Sequence, residues 1–433
     1  MDTFVHIVRG LFGMSVFVAI AYLFSSNRSA VLWRFVGVGL GLQILVGVLV
    51  LRVDIVRGAV DAVGRFFVRI LDFNRAGAEF LFGGLVTNTE TFGFLFAFNV
   101  LPTIIFFSAV TSLLFYLGIL QKIVYAFAWV MTRTMKLSGA ESLSASGNIF
   151  LGQTEAPLLI RHYLPTMTRS ELMAVMVGGL ATIAGAVLVA YIGMLGGPTE
   201  EGRLLFAKHL LTASVMSAPA ALLVAKILEP QTEEVSTDLT ISQEKLGSNA
   251  LEAIANGTTD GLRLAINVGA MLLVFTAMVA FANWILSAWI GGWTGINAGI
   301  AQITSGRYGE LSMQFLLGIV FAPLAWLMGI DTGQLMLSGQ IIGEKTILNE
   351  FYAYSTLAVV KESGALSDVR AQIILTYALC GFSNIASIGI QIGGIGSLAP
   401  NRRALLAQMG LRALIGGSIA CFLTACVASM LIA

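Results

Sequence analysis

Two carboxylates lie in sequence apolar enough for a membrane interior. Glu155 sits in Gly152-Gln-Thr-Glu-Ala-Pro157, directly after the apolar run Ile149-Phe-Leu151. Glu350 sits in Thr346-Ile-Leu-Asn-Glu-Phe-Tyr352. A charge at bilayer depth costs roughly 3 kcal/mol or more, so an ionisable side chain there marks a functional site by default. Around them stand Asn148, Gln153, Thr154, Thr182, Ser383, Asn384 and Ser387, a set with no cation in it. A carboxylate or phosphate ligand calls for Arg, Lys or a row of free helix N-termini. Two carboxylates with amides and hydroxyls suit a neutral ligand rich in donors, such as a sugar or the N–H groups of a heterocycle. Phe382 offers an apolar wall or a stacking face.

The same oxygens suit a small hard cation. Asn148 and Thr182, with backbone carbonyls near Leu151 and Ile183, supply the donor type that holds sodium in transporters with broken helices. A proton carried by Glu155 or Glu350 is the rival coupling ion, and composition does not choose between them.

These residues need elements to carry them. Apolar residues make up 57% of the chain and charged residues 11%, where a soluble domain carries about 25% charged. With a mean hydropathy of +0.86, the chain reads as an all-α polytopic membrane protein, because lipid satisfies no backbone hydrogen bond. The length accommodates about eight spans of some 20 residues, placed at 3–24, 30–51, 92–117, 171–195, 204–228, 261–290, 371–395 and 404–432. The first is too long for a signal-peptide core and lacks a small-residue cleavage site, so it is expected to be a membrane helix. Stretches 52–72 and 119–136 mix Arg or Lys with apolar residues and read as interfacial helices. Region 229–260, the most polar, reads as an exposed connection with one amphipathic helix. Trp284, Trp289 and Trp293 fit an aromatic belt.

Two regions are apolar but too broken for single spans. At 137–163 and 314–355 the pattern predicts re-entrant hairpins with Glu155 and Glu350 near their tips, allowed only where protein or a watery cavity covers the irregular backbone. The spans that follow are interrupted, at Gly178-Gly-Leu-Ala-Thr-Ile-Ala-Gly185 and Gly381-Phe-Ser-Asn-Ile-Ala-Ser387. Interior Gly weakens a helix by roughly 1 kcal/mol, although close helix packing through small residues also explains such clusters. Each half thus reads hairpin, carboxylate, broken span, plain span, an internal repeat of the kind that builds transport sites. The resulting division is 1–90 (N-terminal helices and interfacial segment), 91–136 (scaffold and interfacial helix), 137–228 (first repeat), 229–313 (connection and long scaffold helix) and 314–433 (second repeat). Lys and Arg are nearly balanced between the two sides, so the positive-inside rule gives no orientation.

Other chemistries find no equipment. Cys380, Cys421 and Cys426 lie in apolar runs without disulfide or metal spacing. His6, His162 and His209 are scattered, and neither a His-Glu-x-x-His nor a Gly-x-Ser-x-Gly motif occurs. A net charge of +1 makes no case for nucleic acid. An intramembrane enzyme using the two carboxylates as acid and base is the competing class, and it lacks a nucleophile or metal cluster.

At Gly147-Asn-Ile-Phe-Leu-Gly-Gln-Thr-Glu-Ala-Pro157, Gly178–Gly185, Leu348-Asn-Glu-Phe351 and Gly381-Phe-Ser-Asn-Ile-Ala-Ser-Ile-Gly389, the chain resembles the concentrative nucleoside transporters. The resemblance implies a bacterial type with eight spans, two re-entrant hairpins and interfacial helices, a homotrimer in the lipid of the inner membrane with both termini in the periplasm. It implies sodium-driven import of nucleosides such as uridine by an elevator motion, with no cofactor beyond the coupling ion. Carried over by motif, Gln153, Thr154, Glu155 and Val187 would face the base. Glu350, Asn384 and Ser387 would hold the ribose, with Phe382 lining the site. Asn148 and Thr182 side chains, with Leu151 and Ile183 carbonyls, would bind sodium. Asn before the Gln-Thr-Glu tip matches the sodium-coupled branch, and a proton-coupled relative is the alternative. Thr182 replaces a common Ser and keeps its hydroxyl. Ile385-Ala386 replaces Phe-Ser, a change expected at packing and nucleoside preference.

Overall fold

A computed structural model describes residues 2–93, 95–240 and 247–432. Among the described residues every regular element is helical, with no strand. The N-terminal part comprises α1 (Asp2–Leu23), α2 (Trp33–Arg52), α3 (Asp54–Phe82), α4 (Leu101–Tyr116) and α5 (Ile119–Met135). Next come α6 (Gly139–Gly147), α7 (Arg169–Ala181), α8 (Gly185–Gly196) and α9 (Glu200–Leu228). Then follow α10 (Ala250–Trp284), α11 (Ile296–Ile303) and α12 (Met313–Leu327). The last elements are α13 (Leu335–Ile347), α14 (Glu350–Glu362), α15 (Val369–Leu379), α16 (Ile385–Leu398) and α17 (Arg403–Leu431).

Seven helical segments among the described residues are long and apolar enough to cross a membrane: Phe4–Leu23, Trp33–Arg52, Phe96–Tyr116, Arg169–Gly196, Glu200–Leu228, Ala250–Thr294 and Pro400–Leu431. The expected span at 371–395 is present as two shorter apolar helices, α15 and α16. Burial sorts the segments. Arg169–Gly196 is wholly enclosed, and Glu200–Leu228 and Pro400–Leu431 nearly so. Ala250–Thr294 is largely exposed and packs chiefly on α4. The inner bundle is therefore α7, α8, α9 and α17, and it carries the broken segments at its centre.

Both expected interruptions are real. Between α7 and α8 the chain runs extended through Thr182 (φ −124°, ψ 168°) and Ala184 (φ −66°, ψ 146°). The peptide groups freed there find partners across the bundle: Gly185 N–H donates to the Phe150 carbonyl (3.0 Å), and the Thr182 carbonyl accepts from Phe382 N–H (3.2 Å). Buried backbone polar groups demand such partners. The second interruption, at 380–384, packs against the first. A Cβ at Gly381 would lie 2.8 Å from the Leu180 carbonyl and 2.6 Å from Cys421 Sγ, so only glycine lets the two breaks touch.

Several boundaries differ from the sequence reading. The second hairpin is α13–α14, over 335–362 rather than 314–355, because the chain turns back at Gly329 (φ 94°) and leaves α12 as a separate helix packed on α13. Pro323 sits inside α12 without ending it. The amphipathic helix expected at 52–72 extends to Phe82. No helix forms at 229–240; this strap lies on the base of the first hairpin, where Gly139 N–H donates to the Ser236 carbonyl (3.0 Å) and Tyr163 OH to the Asp238 carbonyl (3.2 Å). The part of that expected connection at 241–246 lies outside the described residues. Helix α10 starts at Ala250 behind an Asn249 N-cap, and its continuation becomes a π-helical turn at Ile285–Gly291.

Candidate functional site

The first hairpin is built from its own sequence signals. Ser138 and Glu141 form a capping box at the start of α6, each satisfying the other's backbone N–H at 3.2 Å, the expected use of Ser-x-x-Glu. The arms press together at Gly147, where a Cβ would lie 2.7 Å from Leu159 Cδ1. At the tip, Glu155 N–H donates to the Gly152 carbonyl and Gly152 N–H to Glu155 Oε2, both at 3.0 Å. This turn fixes the carboxylate on its own backbone, and the side chains of Thr154 and Glu155 remain exposed.

In the second hairpin, Asn349 caps α14 by accepting from Tyr352 N–H (2.9 Å). Glu350 is the first residue of that helix and is 4% exposed. A carboxylate is favoured at the positive end of a helix.

A chain of hydrogen bonds joins the two tips. Gln153 Nε2 donates to Ser387 Oγ (3.2 Å), Ser387 N–H to Asn384 Oδ1 (2.9 Å), and Asn384 Nδ2 to Glu350 Oε2 (2.7 Å). Asn384 thus has two duties: its oxygen caps α16 and its amide nitrogen holds the carboxylate. Gln153 seats against α7, where a Cβ at Gly179 would lie 2.9 Å from Gln153 Cβ and 2.6 Å from Gln391 Nε2. Thr154 seats against α16, 2.9 Å from a Cβ at Gly394. Phe382, half-buried, occupies the second break. Val187 is buried in the first turn of α8.

A second cluster lies at the first break. Asn148 is 1% exposed, and neither its Oδ1 nor its Nδ2 has a protein partner. Leaving a buried amide unpaired is costly. Asn148 and Thr182 meet at Gly178: a Cβ there would lie 3.1 Å from Asn148 Nδ2, and Thr182 Oγ1 donates to the Gly178 carbonyl (2.8 Å). Leu151 and Ile183 are buried in the adjoining non-helical turns. The donor chemistry, an amide, a hydroxyl and free-running backbone carbonyls, fits a hard monovalent cation. No cluster of three His, Cys, Asp or Glu occurs among the described residues, so a cation here would be held by neutral oxygens.

Two features escaped the sequence reading. Lys345 is buried to 1% exposure in α13 and donates through Nζ to the Ala378 carbonyl (2.9 Å). The polar set read from the sequence held no cation, yet one stands within electrostatic reach of Glu350. Its signal was a lysine five residues before a buried glutamate in an apolar arm. Gln391, one turn after Ser387, is fully buried and donates to the Met176 carbonyl (2.9 Å). His209 is buried against Tyr377 OH (3.1 Å), away from both clusters' hydrogen bonds. A cavity of about 290 Å³ between α2, α5 and α9, lined by Leu42, Phe127, Met131 and Pro219, has almost no polar wall and offers a sugar nothing to bind.

Comparison with known proteins decides the class. Three family models match in succession: Na+ dependent nucleoside transporter N-terminus over residues 12–85, nucleoside recognition (Gate) over 97–198, and Na+ dependent nucleoside transporter C-terminus over 209–429. The chain belongs to the concentrative nucleoside transporter family. It is 40% identical over 430 residues to an uncharacterised transporter of Haemophilus influenzae, covering 98% of both chains. It is 42% identical over 434 residues to human solute carrier family 28 member 3, covering 97% of this chain and 59% of the human protein. The structure of CNTnw in an inward-facing substrate-bound state superposes with a TM-score of 0.88 at 37% identity, covering 98% of each chain. A CNTnw variant in an outward-facing state superposes equally well, covering 98% of this chain and 97% of that one. This concentrative nucleoside transporter is accordingly a multi-pass membrane protein and a transporter of nucleosides, not an enzyme.

Proposed function

We propose that the protein is a sodium-driven nucleoside symporter of a bacterial inner membrane, a homotrimer working by an elevator motion with both termini in the periplasm. The hydrogen-bond chain from Gln153 to Glu350 carries this reading. It ties both hairpin tips and the second broken helix around groups that are all acceptors or amphoteric. Glu350 and Asn384, with Ser387, take the ribose hydroxyls; a carboxylate accepts two O–H bonds, and charge-assisted bonds are the strong ones. Gln153, Thr154 and Glu155, with Val187 beside them, face the base, whose donors and acceptors a primary amide matches. Phe382 lines the site. Asn148 and Thr182 side chains with the Leu151 and Ile183 carbonyls hold the sodium ion as co-substrate, and the unpaired Asn148 amide supports that role.

The moving body in this reading comprises 137–228 and 314–433, the two repeats with hairpins that re-enter the membrane. The scaffold comprises 1–90, 91–136 and the long helix within 229–313, with α10 offering the exposed face for subunit contact and lipid. The two CNTnw conformations that superpose on this chain fit alternating access. Uridine uptake into proteoliposomes, with sodium and proton gradients imposed separately, tests the coupling. Sodium-driven accumulation of unaltered uridine is expected. Uptake that ignores sodium and needs a pH gradient makes the protein a proton symporter.

A further inference from the structure

Lys345 is a cation enclosed at the heart of the second hairpin, and nothing in the ligand roles above uses it. Its side chain is among the largest fully buried ones. Desolvating an ammonium is expensive unless charge and hydrogen bonds compensate. One bond is to the Ala378 carbonyl in the last turn of α15. That carbonyl lacks its helical partner, because Phe382 N–H crosses to Thr182 instead. A cation at the negative end of a helix is favourably placed. Tyr354 OH satisfies the nearby Thr376 carbonyl from α14 (2.8 Å), so the hairpin holds two of the carbonyls at the end of α15. The turn hung from that end carries Phe382 and Asn384.

The charged and titratable groups around this point are few. Glu350 and Tyr354 approach from α14, Tyr191 from α8, Cys380 from the break and Cys421 from α17. Glu344 neighbours Lys345 on α13 itself, with its Oε1 accepting from Gln340 Nε2 (2.8 Å). Of the side chains in this set Glu350 alone is a carboxyl group hydrogen-bonded to the second broken helix. We propose that Lys345 is a positioning residue for nucleoside binding: its buried ammonium lies against the end of α15 and its hydrogen bond to the Ala378 carbonyl holds that end, so that Asn384 and Glu350 meet the ribose in register. The inference rests on Glu350 being the ribose-binding carboxylate.

The test is uridine binding to the full-length protein in detergent with saturating sodium, by calorimetry. Lys345→Gln retains a donor for Ala378 and loses the charge; Lys345→Met loses both. Both variants are expected to weaken uridine by at least about tenfold near neutral pH. Lys345→Gln, which keeps the donor, is expected to lose less affinity than Lys345→Met. In Lys345→Gln/Glu350→Gln the lysine change should add less than about twofold to the single Glu350→Gln effect, since the two act as one unit. Wild-type affinity in both lysine variants overturns the inference, as does full additivity in the double variant. Loss of monodisperse protein in Lys345→Met leaves Lys345→Gln to decide. Unchanged binding in Glu350→Gln alone refutes the assignment of Glu350 instead, which keeps the two failures apart.

Discussion

Asn384→Ser separates the two duties that one side chain performs. Asn384 caps α16 through Oδ1 on Ser387 N–H (2.9 Å) and holds Glu350 through Nδ2 (2.7 Å). Serine is as good an N-cap as asparagine, so the helix should lose little. A serine hydroxyl, one bond shorter in reach and engaged in the cap, does not span the gap to Glu350. The lost bond is charge-assisted and buried, with Asn384 2% and Glu350 4% exposed, and such bonds contribute about 1.5–3 kcal/mol. If that energy orients the carboxylate for ribose, uridine KM should rise on the order of 10- to 150-fold at 1.4 kcal/mol per decade, with the sodium dependence of uptake retained. Asn384→Ala removes the cap as well and should add about 1 kcal/mol of destabilisation, read as a lower melting temperature of the purified protein. The assay pair is concentration-dependent uridine uptake in proteoliposomes and thermal unfolding in detergent. A uridine KM within twofold of wild type in Asn384→Ser would refute the coupling of this amide to the ribose site. Equal thermal losses for serine and alanine would refute the capping argument.

Glu350→Gln, which keeps shape and loses charge, should abolish most uridine uptake; wild-type kinetics in that variant would contradict its role. Thr182→Val removes the hydroxyl without changing volume and should raise the sodium concentration for half-maximal uptake by about tenfold, checked by uptake across a sodium series at fixed uridine. Gly179→Ala places a methyl group 2.6 Å from Gln391 Nε2 and 2.9 Å from Gln153 Cβ. It should weaken binding of every nucleoside through Gln153 while leaving the sodium series unchanged, which a competition panel measures.

The carboxylates, both helix breaks and the order of elements were legible because each departs from what lipid tolerates. A Glu in an apolar run, or Gly-Gly followed by Thr and Ile in a span, stands out against a uniform background. Two capping boxes, Ser138 with Glu141 and Thr168 with Glu171, are equally local signals that the sequence reading did not use. What the sequence hid was non-local. That α12 is a separate helix follows from packing on α13 and a left-handed Gly329, while Pro323 and Gly329 look alike as breakers on paper. The strap at 229–240 looked like solvent-exposed connection because it is polar. Most of it is exposed, as read, but it also lies on the hairpin base through the Ser236 and Asp238 carbonyls, and Lys226 buries its charge among Glu141, Ser170 and Gln231 at the same place. Lys345 was missed because a single lysine near two glutamates reads as a solvated face until its neighbours are known.

The two clusters share one backbone bond, and that bond makes a quantitative demand. The hydroxyl of Thr182 belongs to the proposed ion cluster, while its carbonyl accepts from Phe382 N–H, two residues before Asn384. An ion that fixes Thr182 therefore also fixes the turn from which the ribose-binding amide projects. Coupling free energy between two sites is reciprocal. The factor by which saturating sodium tightens uridine must equal the factor by which saturating uridine tightens sodium. Typical couplings of 1–3 kcal/mol place that factor between roughly 5 and 150. Calorimetric titration of uridine in sodium and in choline, paired with sodium titration in the presence and absence of uridine, gives both numbers. Thr182→Val should shrink both together, because it loosens the shared residue from the ion side alone. Uridine affinity indifferent to sodium in the wild-type protein would mean that the Thr182–Phe382 bond transmits nothing, and that ion and nucleoside meet only through the motion of the whole transport body.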